Sequence, residues 1–131
     1  MIGLDTNVVV RLLTQDDDRQ YKKAAKAINE LYDASHICFI NSVVLVETCW
    51  VLEKAYSYSK DLIIKDFKLL LQIKEIELEH TEEVWKALNI IDSSNIGFAD
   101  AYIGLINRKK DCNYTLTFDK KAAATDDFQL L

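Results

Sequence analysis

Proline is absent from this chain of 131 residues, and glycine occurs only three times. With no proline and so little glycine, no flexible or polyproline linker is visible, and the length fits one domain over residues 1–131. No apolar run approaches the roughly 20 residues that cross a bilayer, so no membrane contact is expected. The N-terminus lacks the basic stretch and small-residue cleavage site of a secretory signal. Only three cysteines occur, Cys38, Cys49 and Cys112, an odd number in apolar contexts. They read as free, buried thiols in a reducing cytoplasm. His36 stands near Cys38, but no second ligand pair follows, which disfavours zinc. Positive charge is also short, with a formal net charge of −5. That argues against a passive nucleic-acid coat. It does not exclude an enzyme acting on nucleic acid, because divalent cations held by acids reverse the local sign.

Half of the residues are hydrophobic, enough for a sizeable core. MIGL reads as a short buried strand, followed by a helix over VVVRLL. DDDRQYKKAAKAINELYDA has an acidic start and an amphipathic helical interior. HICFI is β-branched and aromatic, a second strand. Ser42 is placed to cap a helix over VVLVETCWVLEKAYS. KDLIIKDFKLLLQIK carries apolar residues at helical spacing, and IELEH alternates as a strand does. Thr81 opens another helix, TEEVWKALNIIDS. GFADAYIGLINRKKD is a helix with basic residues in its last turn, where the dipole favours them. YTLTF is a strand, and KKAAATDDF a short helix or turn. Strands alternating with helices predict an α/β/α sandwich around a short, mostly parallel central sheet. The unbroken apolar strands fit a sheet covered on both faces.

Asp5 and Asp119 each follow a strand. In a parallel sheet both fall at the carboxyl edge, where open α/β folds bind ligands. Either residue also serves as a simple cap or turn former. Glu47 and Asp100 sit among apolar residues on helices, where a charge is costly unless paired or metal-bound. Each also reads as an exposed polar position, Glu47 on a narrow stripe with Thr48. Asp16, Asp17, Asp18, Glu82 and Glu83 stand at helix starts and need only capping and solvation. Four carboxylates without paired Cys or His suit a hard cation, Mg²⁺ or Mn²⁺.

The order LDTN, an acid in VETCWVL, FADAYI, then LTFDKK resembles the PIN-domain nucleases, and most of all the VapC-type toxins of type II toxin–antitoxin pairs. The likeness runs over nearly the whole chain. It implies a metal-dependent endoribonuclease whose catalytic and metal-binding acids are Asp5, Glu47, Asp100 and Asp119, supported by Thr6, Asn7 and Thr117. It further implies an RNA product with a 5′-phosphate, a cognate antitoxin and a homodimer. Many relatives carry another acid three positions before the third one; here that position is Gly97. His36 and His80 read as surface residues. Arg11, Lys22, Lys23, Arg108, Lys109, Lys110, Lys120 and Lys121 are candidates for phosphate contact.

Three other readings stand beside this one. A haloacid-dehalogenase-like phosphatase wants a second Asp where Asn7 lies. A phospho-acceptor receiver wants an adjacent acidic pair near its first strand. A non-catalytic PIN-like binding module would not need all four acids.

Overall fold

Asp5 follows the first strand by two residues and caps the first helix. Its backbone is extended (φ −83°, ψ 161°), and its carboxylate accepts the Thr6 N–H at 2.8 Å. The computed structural model describes residues 1–131, which fold as two compact units, Met1–Glu79 and His80–Leu131.

The first unit runs β1 (Ile2–Gly3), α1 (Thr6–Thr14), α2 (Asp18–Asp33), β2 (Cys38–Ile40), α3 (Ser42–Ala55), α4 (Lys60–Gln72) and β3 (Ile76–Leu78). Its three strands are ordered β1-β2-β3 and all parallel, with Ile2 opposite Cys38 and Cys38 opposite Ile76. Helix pairs make the crossovers, as a parallel ladder requires. Val9, Cys38, Ile40, Leu45, Leu52, Phe67, Leu70 and Leu78 form its buried interior. Burying one Leu- or Phe-sized side chain contributes about 1.5–3 kcal/mol.

The second unit runs α5 (Thr81–Asp92), α6 (Phe98–Lys109), β4 (Thr115–Thr117), α7 (Lys120–Ala123) and β5 (Phe128–Leu130). β4 and β5 are parallel, with Thr115 opposite Phe128. Val84, Leu88, Ile91, Ala101 and Tyr102 are buried, and the Phe98 and Tyr102 rings stack at 5.3 Å. Gly104 lets α6 approach β5: a Cβ there would lie 2.6 Å from Phe128 Cε2.

All strand pairings are parallel, as expected, but several details differ from the sequence reading. β1 is an exposed edge strand rather than a buried one, because nothing pairs with its outer side. Asn41, not Ser42, caps α3, its side chain accepting the Val44 N–H at 2.9 Å. The Ser42 N–H and hydroxyl donate instead to Glu79 Oε1. The segment after α7 adds a fifth strand that the turn-like TDDF hides. Cys38 and Cys49 are buried free thiols, whereas Cys112 is exposed, in the turn after α6.

The shortage of glycine has a backbone consequence. Every positive-φ position is non-glycine: Gln15, Ser35, Ser57, His80 and Asp111. Each holds the left-handed conformation that glycine adopts with least strain.

Candidate active site

In the first unit, Asp5 and Glu47 line one open cavity of about 370 Å³, together with Thr6, Asn7, Val10, Arg11, Val51, Ala55 and Tyr56. β1 delivers Asp5 to its rim, and the buried faces of α1 and α3 hold the two acids in register. Asp5 Oδ1 is engaged by the Thr6 N–H, which leaves Oδ2 free. Thr6 is buried, while Asn7 is exposed. Glu47 departs from the expected apolar surroundings. Its side chain is exposed, and so are its apolar neighbours Val43 and Trp50 on the same helix face. Thr48, expected to share a solvent-facing stripe with Glu47, is fully buried.

In the second unit, Asp100 occupies the first turn of α6, and Asp119 lies two residues beyond β4 as the N-cap of α7. Asp100 is half-buried. Burial, and second the charge of Asp119, raise its pKa above the ordinary Asp value. Asp119 caps α7: its Oδ1 accepts the Lys121 and Ala122 N–H groups at 2.8 and 3.3 Å, and Oδ2 stays free. Thr117 Oγ1 accepts the Asp119 N–H at 3.0 Å, which fixes the backbone that carries the acid. Gly97 caps α6 with its backbone alone, and a Cβ there would meet nothing within 4 Å. Space therefore does not exclude an acid at that position.

Each unit thus brings together one acid pair of the four. Within neither unit do three His, Cys, Asp or Glu side chains gather around a common point. The pairs are all-oxygen donors, each keeping lone pairs unspent. That set suits a hard cation and does not suit zinc.

Three polar arrangements escaped the sequence reading. Glu83 is buried, not solvated, and pairs with Lys109 Nζ at 3.0 Å, with His80 Nδ1 at 4.0 Å. Asp66 on α4 is buried, its pKa raised by that burial against an opposing hydrogen bond from Tyr58. It sits among apolar residues in KDFKLL, the pattern that singled out Glu47 and Asp100. Arg11 is tied to Asp16, Gln20 and Tyr56. Of the basic candidates, Arg108 pairs with Asp127 and Lys22 with Asp18. Lys23, Lys110, Lys120 and Lys121 form no ion pair.

The sequence model of the PIN domain matches residues 2–127. The chain belongs to the PIN-domain family. Short parallel strands flanked by helices fit the α/β/α architecture of a PIN domain, and the phosphatase and receiver readings fall with this assignment. The chain is also similar to the crystal structure of VapC20 from Mycobacterium tuberculosis, described as a sarcin-ricin loop cleaving toxin. The two share 19% identity over 98% of each chain, with a TM-score of 0.41. No curated protein sequence matches the chain. No helix is long and apolar enough to cross a membrane.

Proposed function

We propose that this PIN protein is a metal-dependent endoribonuclease and the toxin of a type II toxin–antitoxin pair. In this reading residues 1–131 are one domain whose catalytic and metal-binding acids are Asp5, Glu47, Asp100 and Asp119. The observation that carries the reading is the way the two strand-end acids are held. Asp5 and Asp119 each give one oxygen to backbone N–H groups and keep the other free. The backbone bonds orient the carboxylates. The raised pKa of Asp100 marks a charge that lacks a cationic partner.

Asp5, Asp100 and Asp119 would hold Mg²⁺ or Mn²⁺, with Glu47 as a further ligand or as the group that orients the attacking water. Bound there, the cation neutralises charge developing on the phosphoryl oxygens and lowers the pKa of a bound water. Thr6 positions Asp5 through its backbone N–H and Thr117 positions Asp119 through its hydroxyl oxygen, and Asn7 offers an amide to the substrate at the cavity rim. The toxin assignment rests on the order of the LDTN, VETCWVL, FADAYI and LTFDKK motifs. It brings with it a cognate antitoxin, a homodimer and a cytoplasmic location.

Induced expression followed by mapping of RNA ends tests the reading. Wild type should arrest growth and leave new 5′-phosphate ends that are missing with Asp5→Asn. Identical end maps for the two proteins would reject the nuclease assignment. Co-purification with the product of the adjacent reading frame tests the antitoxin.

A further inference from the structure

Arg11 stands between two cavities of the first unit. It lines the cavity that holds Asp5 and Glu47. It also lines a second one of about 590 Å³, bounded by Asn7, Gln20, Lys23 and the apolar side chains of Val8, Ile28 and Leu31. Asn7 and Arg11 are the residues common to both.

The guanidinium is fixed from three sides. Nε donates to Gln20 Oε1 at 2.6 Å, and Nη1 donates to Asp16 Oδ1 at 2.9 Å and to the Tyr56 hydroxyl at 3.2 Å. Tyr56 in turn donates to Asp16 Oδ2 at 2.8 Å, and Thr14 to Asp16 Oδ1 at 2.9 Å. These hydroxyls disperse the Asp16 charge and hold its carboxyl below the ordinary range, the Tyr56 bond being the largest cause. The Nη2 edge has no protein partner. An arginine whose rotamer is already fixed and whose outer N–H pair is free loses little entropy on meeting a phosphate.

We propose that Arg11 is a positioning residue for substrate, binding a backbone phosphate of single-stranded RNA next to the scissile one through its free Nη2 edge. The inference rests on the ribonuclease reading and adds a substrate contact to it. The larger cavity then receives the adjoining nucleotide: its apolar wall covers a base, and Lys23 supplies a second cation. Asp16 leaves the Arg11 pair nearly neutral by itself. Lys23 restores a net positive charge on this side of the acids.

The test is the affinity of a single-stranded RNA oligonucleotide for the Asp5→Asn protein, by fluorescence anisotropy over a range of salt. Arg11→Gln should weaken binding about tenfold and lower the slope of log Kd against log salt by about 0.7, the value for one phosphate contact on a single strand. Arg11→Lys should restore the salt slope, which counts the charge, but only part of the affinity, because lysine lacks the fixed guanidinium fork. Lys26→Gln, which removes an exposed cation bonded only to Glu30, should change neither. A purely structural Arg11 would lower the melting temperature in Arg11→Gln yet leave the salt slope intact, and that result overturns the inference. RNA binding that depends on Arg11 while Asp5→Asn still cleaves would uphold the inference and reject the active-site assignment. Cleavage lost in Asp5→Asn with a salt slope indifferent to Arg11 would do the reverse.

Discussion

Asp119 lies close enough to Asp100 for its charge to oppose ionisation of the Asp100 carboxyl, after burial has already done so. The folded protein therefore holds the Asp100 proton more tightly than the unfolded chain. Ionised Asp100 opposes folding, in full above its folded pKa, and the penalty is relieved as pH falls through that value toward the unfolded one. In EDTA at neutral pH, Asp100→Asn should melt above wild type, and the gap should close on acidification. Asp119→Asn should also melt higher, because an amide oxygen keeps the α7 cap. Lower melting of both variants at neutral pH would count against the like-charge pair.

Gly104 has a packing role rather than a conformational one. Alanine would ordinarily improve a helix by about 1 kcal/mol. Here its Cβ would press on Phe128 Cε2 at 2.6 Å and Asp127 Cβ at 3.1 Å. Gly104→Ala should therefore lose about 1–3 kcal/mol in urea unfolding, the usual range for overpacking. A neutral or stabilised variant would show that β5 yields freely.

The Glu83–Lys109 pair is asymmetric. The Glu83 side chain is 8% exposed and that of Lys109 52%. Lys109→Met leaves a carboxylate buried without its partner and should cost about 2–3 kcal/mol. Glu83→Gln frees a lysine that reaches water and should cost about 1 kcal/mol. Equal losses on denaturant titration would contradict this asymmetry.

Gln15 closes α1 at φ 52°, with its N–H bonded to the Arg11 carbonyl. Gln15→Gly should stabilise the protein by about 0.5–1 kcal/mol, since glycine enters this region without a Cβ clash. A lower unfolding midpoint for the variant would refute the strain.

Much of the fold, and the local setting of the two strand-following acids of the candidate site, were legible in the sequence. Helix spacing in DLIIKDFKLLL and alternation in IELEH are local signals, and both elements formed. The placement of Asp5 and Asp119 just beyond a strand was legible because a charge that follows an apolar strand is visible along the chain. What failed was tertiary. Periodicity does not say which helix face meets the core, so Val43 and Trp50 read as a wall around Glu47 yet lie exposed beside it. Glu83 looked like a first-turn capping acid, because Lys109 reaches it only through the packing of α6 on α5. β5 was missed because its three residues follow a turn-like segment, and its pairing depends on β4.

The central claim is that Asp5, Glu47, Asp100 and Asp119 are the metal-binding acids of the protein. Mn²⁺ binding, followed by electron paramagnetic resonance on the folded protein, tests it most directly. Wild type should bind the ion, and Asp5→Asn in the first unit and Asp100→Asn in the second should each weaken binding at least about tenfold, the effect of losing a ligand or its orienting partner. Wild-type affinity in either variant would contradict that assignment.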